Sequence, residues 1–159
     1  MAGDDSSGLL ALINGHLRQV PHVAEMGIHV AAIGRDWAEL VLPYDERFVA
    51  YEETGVLAGG AVFSLIDTAA GMAVFARMRQ FEPIATLDLR LDYLRPATAG
   101  APLLARMECY RLTRSIAFVR GSAGHPDGTI VAHAAGTFMR AAPAPGRGAG
   151  PRAAEGERG

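Results

Sequence analysis

Residues 58–79 read AGGAVFSLIDTAAGMAVFARMR, and their reading decides the fold. Almost every position is apolar or small, so no polar stripe separates a wet side from a dry one. A helix of that kind must be covered around most of its circumference. The stretch approaches the length of a membrane span, but it opens with Gly59 and Gly60 and carries Asp67 near its middle. A charged side chain is costly in lipid, so a buried core helix is the better reading. A sheet wrapped around it would supply the cover.

Downstream, four strand-like runs at 85–94, 102–112, 116–122 and 129–140 are separated by turn signals such as 96–100 and His125-Pro126-Asp127-Gly128. Upstream, 28–33 and 37–42 are joined by Gly34, Arg35 and Asp36 and read as a hairpin. Pro43 to Leu57 should be a loop. Leu9, Leu10, Leu12, Ile13, Leu17 and Val20 recur at helical spacing behind Asp4, Asp5, Ser6 and Ser7, which predicts a short N-terminal helix ended by Pro21. The order is helix, two strands, long helix, four strands: an α+β pattern with one helix embraced by an antiparallel sheet. Residues 1–140 are expected to form a single domain. Residues 141–159, only Ala, Pro, Gly, Arg and Glu, are expected to be a disordered tail.

Composition narrows the function. Half the 159 residues are apolar and a fifth charged, as in a globular protein with a real core. The formal charge of −2 gives no electrostatic footprint for nucleic acid, and no membrane partner is expected. All 15 basic residues are Arg, a pattern that selection for phosphate contacts or a GC-rich coding bias would each produce. The single cysteine, Cys109, excludes an intrachain disulfide, and the acidic start is unlike a secretory signal, so a cytoplasmic location is expected. The five histidines show no metal-ligand spacing. Neither a nucleophile elbow nor a phosphate-cradling loop is present, and no cofactor is expected.

Asp67 is the first candidate for chemistry. An ionised carboxylate within an apolar helix costs several kcal/mol unless it is hydrogen-bonded or paired. It would be explained by a catalytic role, or by a solvated edge or subunit contact. Ser64, Ala70 and Gly71 lie three or four positions away and leave room for a ligand on that side. Gly59 and Gly60 open the helix, where unpaired N–H groups and the positive dipole end can stabilise an oxyanion; close helix–sheet packing would also explain them. Gly59 and Asp67 are eight residues apart, roughly 12 Å at helical rise. They cannot both touch one carbonyl, so a shared site requires a neighbouring chain, as a two-fold dimer provides.

In residues 86–93 the strict alternation predicts that Leu87, Leu89, Leu91 and Tyr93 face the core. Thr86 then shares the solvent side with Asp88, Arg90 and Asp92. Arg90, Arg95, Arg111 and Arg114 are candidates for gripping phosphates, although solvated strand faces and turns are the commoner home for Arg.

The stretch 54–71, followed by Thr86-Leu-Asp and Tyr93-Leu-Arg-Pro-Ala, resembles the phenylacetic-acid-degradation (PaaI-like) branch of the hotdog-fold acyl-CoA thioesterases. The resemblance covers about residues 26–140. It implies a long central helix in a curled antiparallel sheet, a homodimer paired through sheet edges, and often a tetramer as a dimer of dimers. It also implies an acyl-CoA substrate. Asp67 would activate water, the Gly59 amide of the partner chain would bind the thioester carbonyl, and Thr86 would help hold the water. Gly60, Ala58, Tyr51, Glu52 and Ser64 would surround the substrate, with Arg95 and Arg114 toward coenzyme A. Two departures stand out. Ala58 occupies the position where relatives carry His, and Tyr51, Glu52 and Glu53 replace a region that often holds Asn. The competing reading is a non-catalytic acyl-CoA-binding protein that kept the pocket. A hydratase on the same scaffold would call for a His–carboxylate pair, which the sequence does not display.

Overall fold

The computed structural model describes residues 5–140, so the expected tail at 141–159 lies outside the described residues. The elements are α1 (Asp5–Arg18), α2 (Pro21–Glu25), β1 (His29–Ile33), β2 (Trp37–Leu42), a 3-10 turn (Glu46–Phe48), α3 (Gly59–Met78), β3 (Ile84–Tyr93), β4 (Leu103–Leu112), β5 (Ile116–Gly124) and β6 (Ile130–Arg140). The expected order of helices and strands is present, with one addition. Pro21 opens a second short helix instead of only closing the first, because its missing N–H costs nothing at a first helical position.

The strands form one antiparallel sheet in the order β1-β2-β4-β5-β6-β3, which wraps α3. α3 packs on β2, β3, β4 and β5. Leu40 and Leu42 of β2 and Leu103, Ala105 and Met107 of β4 are sealed against Leu65, Ile66, Ala69 and Val74 of the helix. Each fully buried Leu or Ile here contributes about 1.5–3 kcal/mol by leaving water. α3 has the length and hydropathy of a membrane span, yet 67% of its most apolar window is buried inside the protein. Its oiliness serves the core. The helix ends at Arg79, which adopts the left-handed conformation (φ 58°) and returns its N–H to the Phe75 carbonyl.

β3 departs from the alternation read in the sequence. Thr86 pairs with Phe138 of β6, but Asp88 already pairs with Thr137, so Leu87 is an extra residue, a bulge. Phe138, Gly136, Ala134 and Ala132 are the helix-facing positions of β6, and residues directly opposite share a face. Thr86, Leu89, Leu91 and Tyr93 are therefore all on the α3 side, while Asp88, Arg90 and Asp92 point out. The assignment of Thr86 to the solvent side and of Leu87 to the core is corrected accordingly. Leu87 is 53% exposed, and Leu89 and Leu91 pack against the core.

Gly136 is opposite Leu89, just beyond the bulge. A Cβ there would run into the Asp88 carbonyl oxygen and approach the Leu89 Cα to 3.1 Å. Gly136→Ala should therefore destabilise the fold by about 1–3 kcal/mol, the usual cost of forced overpacking. Chemical denaturation checks this, and an unchanged midpoint would mean that the strand pair has slack at the bulge.

Candidate active site

One seam of α3 escapes the sheet. Ser64, Asp67 and Thr68 are only partly buried, and with Gly71, Met72 and Phe75 they follow the helical spacing of a single face. This seam floors a cleft of about 730 Å³ between the α1–α2 arm and β3. Its walls are mainly apolar, including Leu17, Val20, Ile84 and Phe138. Asp67 faces this cleft, and Thr86 Oγ1 donates a hydrogen bond of 2.9 Å to its Oδ1. The bulge makes that bond possible by turning Thr86 toward the helix. One carboxylate oxygen is thus anchored, and Oδ2 is left for another partner.

The start of α3 is a second polar feature. Ala58 is the N-cap residue and offers no side-chain cap, while its own N–H is taken by the Phe48 carbonyl at 2.8 Å. Gly59 and Gly60 are exposed, and the first-turn N–H groups of a helix have no internal acceptor. The Tyr93 hydroxyl donates to the Gly59 carbonyl at 2.9 Å, tying the helix start to the end of β3. Burial pushes the Tyr93 phenol above its ordinary pKa. A smaller cleft of about 320 Å³, lined by Ala58, Gly60, Ala61, Arg47 and Phe48, sits beside this helix start.

His22 and Ser64 line both clefts, and the His22 Nε2 is 3.0 Å from Ser64 Oγ. His22 is thus an imidazole brought to the first turns of α3, beside the position where Ala58 has no polar side chain. Sequence reading missed it. His22 follows Pro21 in what reads as the end of a helix, and no local pattern announces a contact 42 residues away. Arg47 was missed too. Hydrogen bonds from its guanidinium to Asp45 (2.8 Å) and Glu25 (2.6 Å) raise its pKa further above the usual range.

The other sequence candidates lie elsewhere. Tyr51, Glu52 and Glu53 form an exposed turn, Tyr51 being 70% accessible, and none lines either cleft. Arg95 follows β3 and Arg114 sits in the β4–β5 turn; both are exposed and outside the two clefts. Among the described residues no group of three His, Cys, Asp or Glu could hold a metal ion.

Comparison with known proteins adds to this geometry. A family model described as the thioesterase superfamily matches residues 54–132. A crystal structure of a Pseudomonas aeruginosa protein is 37% identical with a TM-score of 0.75, covering 83% of this chain and 98% of that one. A variant of the phenylacetic acid degradation protein PaaI from Thermus thermophilus is 28% identical with a TM-score of 0.67, covering 76% and 98%. The Escherichia coli medium/long-chain acyl-CoA thioesterase YigI is 26% identical over 133 residues, 76% of this chain and 85% of its own length. The matching region spans 66% of the length of other curated relatives, from Haemophilus influenzae and Halobacterium salinarum. The fold is the hotdog fold shared with these solved structures.

Tyr93→Phe removes only the hydroxyl that holds the Gly59 carbonyl. It should lower stability by about 0.5–1.5 kcal/mol, the net worth of one hydrogen bond. Urea unfolding measures this, and no loss would mean that water replaces the bond without penalty.

Proposed function

The chain belongs to the thioesterase superfamily, and on that premise we propose that it hydrolyses an acyl-CoA thioester to the free acid and coenzyme A, with Asp67 as general base. The observation that carries this reading is the Thr86–Asp67 hydrogen bond inside a mainly apolar cleft. Thr86 fixes one carboxylate oxygen, and the other accepts a proton from water. The resulting hydroxide adds to the thioester carbonyl carbon, and the carbonyl oxygen becomes an oxyanion. Collapse of that intermediate breaks the C–S bond and releases the thiolate, which takes up the proton that Asp67 had accepted from water, so the carboxylate is restored.

The oxyanion needs a donor that Asp67's own helix cannot supply. Gly59 is two turns back, roughly 12 Å along the axis, whereas a hydrogen bond reaches about 3 Å. The Gly59 amide of a partner chain fills this role, and each two-fold dimer then holds two sites. The free edge of the sheet supports such a dimer. β3 is ten residues long, lies at the end of the strand order, and presents Leu87 half-exposed. A long edge of this kind is normally covered by another strand. Tetramers would arise as dimers of dimers. The thiol portion passes the smaller cleft by Gly60 and Arg47. Cys109, buried and unpaired by any disulfide, needs no oxidising compartment, in keeping with the cytoplasm.

Asp67→Asn keeps the shape and removes the base. Turnover of acyl-CoA thioesters, followed by free-thiol detection, should fall by about 10²–10⁴-fold with the fold intact. Unchanged turnover would refute the assignment. Binding without thiol release by the unmodified protein would favour a non-catalytic acyl-CoA-binding module. Leu87→Asp places a charge at the bulge on the exposed edge, where the subunit itself tolerates it. Sedimentation should then show dissociation toward monomer, and turnover should be lost with it. A variant that stays assembled and active would place the subunit contact elsewhere.

A further inference from the structure

The main cleft continues well beyond Asp67. It follows α3 past Gly71 to Phe75, where Phe75, Phe81 and His16 close on one another. The ring centroids lie 4.7 Å apart for Phe75 and Phe81, 4.9 Å for His16 and Phe81, and 5.5 Å for His16 and Phe75. Glu82 also lines this end, but its carboxylate is paired with Arg140 at 3.0 Å, so it is already engaged. From these observations we propose that the cleft measures an unbranched acyl chain of about eight to ten carbons. Gly71 keeps its middle open and the His16–Phe75–Phe81 cluster is its stop. This deepens the hydrolase reading and rests on it.

The length follows from the helix. Asp67 and Phe75 are eight residues apart, roughly 12 Å at helical rise, and an extended chain advances about 1.2 Å per bond. About ten bonds therefore separate the carbonyl carbon from the aromatic stop. A short aryl group would leave the far half unfilled. Gly71 lies midway, and a Cβ on it would come within 3.7 Å of Ile84 Cδ1 and 3.9 Å of Phe138 Cε1. A methyl group fits there, but a branched side chain must fill the passage. His16 is supplied by α1, and the family model matches only residues 54–132, so the stop is partly built outside the matched region.

The test is a kcat/KM profile over butyryl-, hexanoyl-, octanoyl-, decanoyl-, dodecanoyl- and phenylacetyl-CoA. Each methylene removed from water should raise kcat/KM about fourfold up to roughly ten carbons, and further ones should add nothing. Gly71→Leu should lower the decanoyl-to-butyryl ratio at least thirtyfold. Phe81→Ala, at a half-buried position that risks the fold little, should move the optimum at least two carbons longer. A flat profile, a preference for phenylacetyl-CoA, or a profile that both variants leave intact would overturn the proposal while sparing the hydrolase reading. If no thioester is cleaved, the hydrolase reading fails, and calorimetry with butyrate and decanoate still decides the cleft. Decanoate binding that is tighter than butyrate binding and is lost in Gly71→Leu supports it; equal or absent binding overturns it.

Discussion

A twenty-residue helix with almost no polar side has one acceptable environment in water: enclosure. The sheet provides it, and most other features of the fold follow from that obligation. Strands β2, β4 and β5 turn their apolar positions onto α3, the element around which the core cluster is built. Enclosure is incomplete along one seam, and that seam carries Ser64, Asp67, Thr68 and Gly71. The core and the site are thus two faces of one element. Packing on the dry faces holds the wet one in place, so Asp67 rests on a rigid support without having to be part of the core.

The helix also sets a distance. Its N-terminal amides and its carboxylate lie too far apart to serve one carbonyl, and no side-chain movement shortens a helix. On the proposed mechanism a single chain therefore carries two half-sites. The ties found here suit that arrangement: Tyr93 anchors the Gly59 carbonyl while Thr86 anchors Asp67, and both come from the same edge strand. Pairing of that edge with another chain would carry both halves along together. His22 of α2 and Ser64 of α3 sit where the two clefts meet, and their contact links the short helix to the long one.

Much of this was legible in the residues. The apolar circumference of 58–79 is a strong signal because no other environment suits it, and the turn signals around it fixed the number and order of strands. Asp67 was visible for the converse reason, as a charge where charge is expensive. What escaped reading depended on tertiary pairing. Alternation in 86–93 assumes an unbroken period of two, and a single extra residue at Leu87 reverses it for everything on one side. Pro21 was read as a stop, although the same lack of an N–H equally suits a start. The contacts of His22 and Arg47 are made by short segments whose position is set by what they lie against. The Glu52 region, which carried weight only through resemblance, is an exposed turn apart from the clefts.

The extra residue in β3 has a consequence for how such a site could be altered. Strand faces obey a parity rule: inward positions of an unbroken strand are separated by an odd number of residues, whereas Thr86 and Leu89 are separated by two, Leu87 and Asp88. Removing Leu87 would therefore leave a regular ladder, with Thr86 still opposite Phe138 and its hydroxyl still toward Asp67. Straightening the strand with Leu87 retained would instead carry the threonine to the outer face. The geometry thus needs the bulge only for as long as the additional residue is present, and a one-codon deletion there would simplify the strand without turning the threonine away.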